Sequence, residues 1–193
     1  KILRASLAQD PEDETARVNF AKFLAQFRSA EAAEQALKEF IVKLPDAYSL
    51  QLTLGQIYEL TARLDDALQA YTGVAENSPT TTEGIIARVR MGAIFLQQGR
   101  KDTGRSTIEA VLKDAGNNVE ALLLRANWRV EDRKFDEAIA DTRAALSSEP
   151  NNRQGMLLLA RIYAISNQTP LAKDAYRALL KVDSTNGDAS REL

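Results

Sequence analysis

The chain has 193 residues and a formal net charge of −2, with apolar residues at 45% and charged residues at 27%. This composition is typical of a folded protein and lacks the basic excess that nucleic-acid or membrane-surface binding needs. Cysteine and histidine are both absent, which excludes disulfides, thiol or imidazole catalysis and the usual zinc ligands, and no cofactor is expected.

Proline recurs at a regular interval along the chain. Pro11, Pro45 and Pro79 are evenly spaced, and Pro150 lies at the same interval after Gly116, which stands in the same slot. Proline stops a helix, and the Asn and Asp residues at these sites cap the next one, so each site is predicted to separate two helical hairpins. In this register the chain is a single all-α domain over 1–193, with hairpin units at 14–47, 48–84, 85–118, 119–152 and 153–186.

Small residues recur at the eighth and twentieth positions of every unit. The two helices of a hairpin cross most closely at one point, where only small side chains let the backbones approach. The eighth positions are Ala21, Gly55, Gly92, Ala126 and Ala160, and the twentieth are Ala33, Ala67, Gly104, Ala138 and Ala172. Large apolar residues follow at spacings of three and four, which indicates one buried stripe on each helix.

Both ends of the chain are predicted to be parts of further hairpins. Residues 1–13 are interpreted as the end of a preceding unit, and the acidic run 10–14 as a helix start, where negative charge is favourable. Residues 187–193 look like the start of another first helix, and a chain that begins at Lys1 is interpreted as a fragment or a mature segment. Uncapped ends expose apolar faces, so residues 1–9 or the helix at 169–182 are expected to contact another molecule, including a second copy.

Three features distinguish the middle units. The third unit is preceded by three extra residues, and Thr80 with Glu83 has the form of a capping box, so its first helix is predicted to begin near Thr81, about one turn early. Trp128, the only tryptophan, is interpreted as a packed residue, because the same position is apolar in the other units. The fourth unit is expected to have the least well packed core, because it places polar residues at usually apolar positions: Arg125, Arg129 and Thr142.

This pattern resembles the tetratricopeptide repeat family, whose unit is a helical hairpin of about 34 residues. The second unit matches the family best, through Leu54, Gly55, Tyr58, Ala67, Tyr71 and Pro79, whereas the family's tryptophan at position 4 is missing throughout. The resemblance implies a right-handed α-solenoid of about five full repeats that acts as a protein–protein interaction scaffold and is not an enzyme. Pentatricopeptide repeats, which are one residue longer and bind RNA on a basic surface, and the longer HEAT-type repeats fit less well.

The resemblance also implies where a ligand binds, because the family holds ligands on the first helices, at positions 2, 5, 9 and 12. Position 5 is an aliphatic row and position 9 is mostly polar, which suits an extended peptide or an amphipathic helix. The predicted ligand-binding residues of this concave groove are Val18, Lys22, Leu52, Gln56, Val89, Ala93, Leu123, Asn127, Leu157 and Arg161.

The alternative is that position 5 packs between neighbouring hairpins and only supports the stack. On the groove interpretation, Leu123→Ser costs roughly 1 kcal/mol or less of stability. Tyr58→Ala, beside a helix crossing, costs on the order of 3 kcal/mol. The Lys, Asn and Arg set with which some family members grip a terminal carboxylate is not matched, because Asn127 is the only asparagine at position 9.

Three functions remain open at this stage. The first is a groove-binding scaffold, similar to bacterial family members that act as assembly factors in cell-envelope or secretion systems. The others are the accessory array of a larger enzyme and a self-associating scaffold. A protein or peptide of unknown identity is the expected partner, with no nucleic acid and no membrane insertion. The absence of cysteine fits both the periplasm and the cytoplasm.

Overall fold

The computed structural model describes residues 13–192, so the interpretation of residues 1–9 lies outside the described part. Across 13–192 the regular structure is helical, with eleven helices joined by short turns. They are α1 Glu14–Phe27, α2 Ala30–Lys43, α3 Tyr48–Leu60, α4 Leu64–Asn77, α5 Thr82–Gln97, α6 Lys101–Asp114, α7 Val119–Glu131, α8 Phe135–Ser148, α9 Arg153–Ile165, α10 Thr169–Val182 and α11 Gly187–Arg191. The prediction of an all-α fold built from helical hairpins is confirmed.

The helices form two compact units that divide within α6, between Gly104 and Arg105. In the first unit α1 packs on α2 and α3 on α4, and in the second α7 packs on α8 and α9 on α10. First helices also pack on the second helix before them, as α3 does on α2, α5 on α4 and α9 on α8. A first helix therefore buries one face in its own hairpin and another against the preceding hairpin. That the whole chain forms a single domain stays a prediction.

Polar side chains cap the starts of six helices. Each accepts a hydrogen bond from the backbone N–H three residues further on and so satisfies one of the donors that a helix start leaves unpaired. These caps are Asp13, Ser29, Thr81, Asn118, Asn152 and Asn186. The asparagines of the predicted turns therefore act as helix caps, and the cap at Asp13 confirms the helix-start interpretation for the described part of the acidic run.

The third unit's first helix begins early, as predicted. Helix α5 starts at Thr82 and is 16 residues long, whereas α3, α7 and α9 have 13. The predicted capping pair of Thr80 and Glu83 is wrong, because the Thr81 hydroxyl is the group that accepts from the Gly84 N–H, at 3.2 Å. Thr81 also donates through its backbone N–H and its hydroxyl to the Ser78 carbonyl, which leaves Thr80 inside the turn.

The small residues at positions 8 and 20 lie at close helix crossings. A Cβ atom added to Gly55 would stand 2.4 Å from the Tyr71 ring, and one added to Gly104 would stand 2.7 Å from the Leu96 side chain. Distances this short mean that the neighbouring side chain would have to move. Alanine occupies most of the other crossing positions and is fully buried there: Ala21, Ala33, Ala67, Ala126, Ala138 and Ala160.

The fourth hairpin, α7/α8, contains an ion cluster where apolar residues are usual. The Arg125 guanidinium donates to both Asp141 carboxylate oxygens, at 2.8 and 2.9 Å, and Arg129 donates to one of them at 2.6 Å. Asp141 is buried, and the buried Thr142 hydroxyl donates to the Ala138 carbonyl at 2.7 Å. The polar groups at these positions pair with one another across the hairpin, and the expectation that this core is the least well packed stays a prediction.

Candidate functional site

In the second unit, the first helices α7 and α9 contact each other and form a groove. Their side chains line a cavity of about 270 Å³: Leu123, Asn127, Gln154, Leu157, Leu158 and Arg161. The three leucines are buried or half-buried and form an apolar floor, whereas the amide and guanidinium side chains are exposed and form a polar rim. We call this cavity the α7/α9 groove.

Four of the ten predicted ligand-binding residues meet in the α7/α9 groove. They are Leu123, Asn127, Leu157 and Arg161. Two further lining residues, Gln154 and Leu158, were absent from the predicted set. Helical spacing could have found both, because residues three, four and seven apart share one face of a helix and Gln154 precedes Leu157, Leu158 and Arg161 by those intervals.

The other six predicted residues lie on α1, α3 and α5 of the first unit, where α1 contacts α3 and α3 contacts α5. At position 9, Lys22 and Gln56 are exposed and Ala93 is half-buried. At position 5, Val18 is half-buried, whereas Leu52 and Val89 are buried. The aliphatic row at position 5 is therefore largely packed, as expected if these residues support the stack of hairpins. Its members can form the floor of a groove but not its open surface.

Burial also corrects the expectation that Leu123 is cheap to replace. Leu123 is 7% exposed, which is almost the same as the 6% of Tyr58 at the helix crossing. The pattern within α7 predicts only the face on which Leu123 lies. How deeply that face is covered depends on the neighbouring helices, which no pattern within α7 reports.

The polar rim of the α7/α9 groove is already partly hydrogen-bonded. The Asn127 side-chain amide donates to the Leu123 carbonyl at 2.8 Å, which fixes the amide and leaves its Oδ1 atom as an acceptor. Arg161 donates to Asp188 at 2.5 Å, and Arg191 donates to the other oxygen of the same carboxylate, also at 2.5 Å. A rim of amides and a compensated guanidinium suits the polar groups of a peptide backbone better than a highly charged ligand.

The ion cluster of the fourth hairpin holds α7 from the side opposite the groove. Arg125 lies two residues from both Leu123 and Asn127, which is about 200° around an α-helix. Besides Asp141, Arg125 contacts the Glu109 carboxylate at 3.0 Å. The hydrogen bonds to both carboxylates raise the pKa of the Arg125 guanidinium, and the bond to Asp141 has the largest effect. The helix is thus anchored by charge on one side while its other side presents the groove residues.

Trp128 is a packed residue, as predicted. Its side chain is buried, and the Arg105 guanidinium lies over its ring, 5.7 Å from the centroid. Arg105 is itself paired with Asp132, at 3.0 Å. The tryptophan therefore joins α7 to the part of α6 that belongs to the same unit.

Neither a metal site nor a membrane span is found in the part of the chain that the structure describes. Across residues 13–192, no three acidic side chains are grouped so that they could hold a metal ion. In the same range, each helix is too short or too polar to cross a bilayer.

A family model for the tetratricopeptide repeat matches residues 23–80 and 126–190, which together make up more than half of the chain. The chain belongs to the tetratricopeptide repeat family. Tetratricopeptide repeat proteins are generally non-catalytic scaffolds that bind other proteins or peptides. No curated protein matches this tetratricopeptide repeat chain in sequence.

Solved structures share the fold at low sequence identity. A thermophilic tetratricopeptide repeat protein of Thermus thermophilus, TTC0263, is 15% identical, with a TM-score of 0.72 over 93% of this chain and 96% of that one. YrrB, described as a repeat protein with an unusual peptide-binding site, is 14% identical, with a TM-score of 0.60 over 100% and 99%. The anaphase-promoting complex assembly Cut9–Hcn1 is 13% identical, with a TM-score of 0.82 over 97% of this chain and 37% of that chain. At these identities the likeness shows the fold alone.

Proposed function

We propose that this chain is a non-catalytic scaffold that binds a peptide segment of a partner protein in the α7/α9 groove. The observation that carries the proposal is the convergence of four predicted residues on one cavity with an apolar floor and an amide-rich rim. Family members use the first helices of their repeats in this way. The presence of a peptide-binding site in YrrB also supports the proposal.

The size of the groove favours a peptide side chain over a small-molecule substrate. Sites for drug-sized ligands usually enclose about 300–1,000 Å³ and contain convergent polar groups. A cavity of about 270 Å³ with a leucine floor accommodates one aliphatic side chain of a peptide. The Asn127 Oδ1 atom and the Gln154 amide then lie at the rim, where they can hydrogen-bond to the peptide backbone.

The test selects ligands from a random peptide library displayed on phage, using the wild-type chain as bait. Selected peptides are expected to share an aliphatic anchor residue, and calorimetry with one of them should show at least tenfold weaker binding to Leu157→Ser. Leu157 is only half-buried, so this change leaves the fold in place. The matched control is Val42→Ser, which removes an equally apolar but freely exposed side chain in the first unit.

Equal binding by Leu157→Ser and Val42→Ser would place the ligand on another surface and refute the groove proposal. A selection that yields no binding peptide at all would count against the peptide-binding function itself. Folding of both variants is checked by the fluorescence of Trp128 and by circular dichroism.

A further inference from the structure

The residue at position 10 of a first helix is buried in four of the five hairpins. Ile57, Ile94, Trp128 and Ile162 are at most 8% exposed. First helices pack on the second helix of the preceding hairpin, as α3 does on α2 and α9 does on α8. The fifth residue at this position, Phe23 of α1, is 41% exposed.

Phe23 is part of a larger aromatic surface. Phe27 lies one helical turn further along α1, is 63% exposed, and its ring centroid is 4.9 Å from that of Phe23. Two adjacent exposed rings in the last two turns of a helix are an apolar feature that folded proteins usually bury against something. We call these two residues the Phe23/Phe27 patch.

The other end of the chain carries, at the matching place in the repeat, a cavity with an apolar floor and a charged rim of Arg161, Asp188, Arg191 and Glu192. Position 24 of a second helix is fully buried at Leu37, Tyr71, Ile108 and Thr142. In the last full hairpin, the residue at this position is Tyr176, and it borders a cavity of about 460 Å³ with Ala164 and Ile165. We call it the C-terminal cavity; α11, Gly187–Arg191, covers one side of it.

The C-terminal cavity lies where the second hairpin carries hydrogen-bonded polar side chains. In the second hairpin the Tyr71 hydroxyl donates to Glu59 at 2.5 Å, and Arg90 of the next hairpin donates to the same carboxylate. The counterpart of Glu59 in the fifth hairpin is Ala164. Space that a glutamate and an arginine fill in the first unit is therefore open beside Tyr176.

We propose that the Phe23/Phe27 patch of one molecule inserts into the C-terminal cavity of a second copy, so that the chain associates head to tail. Within the chain, the residue at position 10 lies on a first helix that packs against the preceding second helix. Across residues 13–192, Phe23 is the one exposed residue at this position. A dry cavity of about 150 Å³ is enough to hold one benzene ring. The C-terminal cavity is open on one side and, at about 460 Å³, is larger than that volume.

The charges at the two surfaces are compatible with this pairing. Lys22 and Arg28 are exposed beside the Phe23/Phe27 patch, and the rim of the C-terminal cavity carries the acids Asp188 and Glu192 besides Arg161 and Arg191. Arg161 and Arg191 on the same rim can stack on an inserted aromatic ring. Helix α11 ends at Arg191, and the patch occupies the last two turns of α1.

Two copies can make this contact once, which leaves one patch and one cavity free for a further copy, or twice, which gives a closed pair. The interface is small, so the association is weak and depends on concentration. The weight-average mass measured by sedimentation equilibrium is expected to rise from 21.3 kDa to at least twice that value as concentration increases.

Two variants separate the two surfaces. Phe23→Ser/Phe27→Ser removes the patch and keeps the cavity, whereas Ile165→Arg fills the cavity and keeps the patch. Ile165 is 50% exposed, so the change is tolerated by the fold. Each variant alone should remain at 21.3 kDa, and an equimolar mixture should form a 1:1 dimer and nothing larger, because only one intact patch and one intact cavity meet. Val42→Ser is the control and should associate like the wild type.

A covalent version of the test uses the absence of native cysteine. A mixture of Phe27→Cys and Ile165→Cys proteins under mild oxidation should give a crosslinked heterodimer, whereas Val42→Cys mixed with Ile165→Cys should give none. Wild-type chain that stays at 21.3 kDa at every concentration would overturn the proposal. Association that survives loss of the phenylalanines, or a mixture that forms no dimer, would overturn it as well.

Discussion

The second and fourth hairpins use the same positions of the repeat for opposite chemistry. Positions 7, 11, 23 and 24 are Leu54, Tyr58, Ala70 and Tyr71 in α3/α4, and Arg125, Arg129, Asp141 and Thr142 in α7/α8. In α3/α4 the interior is filled by rings whose hydroxyl groups reach carboxylates at the edge, Tyr58 to Glu34 at 3.1 Å and Tyr71 to Glu59 at 2.5 Å. In α7/α8 the carboxylate lies inside and two guanidinium groups converge on it.

This difference shows that a repeat position specifies location but not the type of interaction. Apolar burial is non-directional, so an aromatic interior tolerates small changes at a cost set by the cavity they leave. A buried ion cluster is stable only while every member is present, because an unpaired buried charge keeps its full desolvation cost. The two hairpins should therefore fail in different ways when single residues are removed.

The largest expected effect is at Asp141. Asp141→Ala leaves the Arg125 and Arg129 guanidinium groups without their shared carboxylate and should destabilise the second unit by about 3–5 kcal/mol. Urea unfolding followed by Trp128 fluorescence measures this, since the only tryptophan of the chain lies in that unit. Asp136→Ala, at an exposed acid in the first turn of the same helix, is the control and should cost about 1 kcal/mol or less.

Converting the ionic hairpin into an aromatic one should restore stability. The fifth hairpin carries Leu159, Tyr163, Ala175 and Tyr176 at the same four positions. A quadruple variant that copies them, Arg125→Leu/Arg129→Tyr/Asp141→Ala/Thr142→Tyr, should be at least as stable as the wild type, because apolar replacement of a whole buried ion cluster is often neutral or stabilising. A quadruple variant no more stable than Asp141→Ala would mean that the charges supply something packing cannot.

The next largest effects concern Tyr58 and Leu123. Tyr58→Ala should destabilise the first unit by about 3 kcal/mol through the cavity it leaves. Tyr58→Phe keeps the ring, loses the hydrogen bond to Glu34 and should cost about 1 kcal/mol. Because Leu123 is buried to the same degree, Leu123→Ser should now cost about 2–3 kcal/mol in the second unit.

Hydrogen exchange read by mass spectrometry measures both changes, because it assigns the loss of protection to one unit or the other. A loss of stability below about 1 kcal/mol for Leu123→Ser would mean that position 5 belongs to the open surface of the groove, as the sequence analysis predicts.

A smaller effect is expected at the turns inside the hairpins. Position 15 has a left-handed backbone in four hairpins, with φ of 57° at Ala62, 75° at Gly99, 59° at Arg133 and 61° at Asn167. Residues with a Cβ are strained there, so Arg133→Gly should stabilise the second unit by about 0.5–1 kcal/mol, and Gly99→Ala should destabilise the chain by about 1 kcal/mol. Thermal unfolding of the two variants should shift in opposite directions, and shifts of the same sign would contradict the strain argument.

The smallest effect depends on pH and belongs to the aromatic hairpin. The Glu34 carboxylate accepts hydrogen bonds from Lys38 at 2.7 Å, from Arg63 at 2.6 Å and from Tyr58. These bonds lower the pKa of the Glu34 carboxyl below 4.5, and the bond from Lys38 has the largest effect. A folded-state pKa below the unfolded value adds stability above about pH 4.5, which is lost as pH falls through the folded value. Urea unfolding of Glu34→Gln should therefore depend less on pH below 4.5 than that of the wild type, and parallel pH profiles would show that the ion pairs contribute nothing.

The sequence by itself determined the helical hairpins and the faces on which they meet. Prolines and capping asparagines are local signals, because each acts through backbone geometry within a few residues. The small residues at positions 8 and 20 are signals within one hairpin, because they mark where its two helices cross. The same reasoning placed Leu123, Asn127, Leu157 and Arg161 on one side of the first helices, which is where the α7/α9 groove lies.

Only the tertiary structure decided how deeply those faces are covered and which charges pair. Leu123 is 7% exposed although the pattern within α7 places it on the groove face. Asp141 pairs with Arg125 and Arg129 because side chains 12 and 16 residues away reach it across the hairpin. Burial and ion pairing are properties of neighbours in space, whereas periodicity reports only the direction in which a side chain leaves its own helix. Arg125 and Arg129 stand at usually apolar positions of the repeat because the Asp141 carboxylate lies between them.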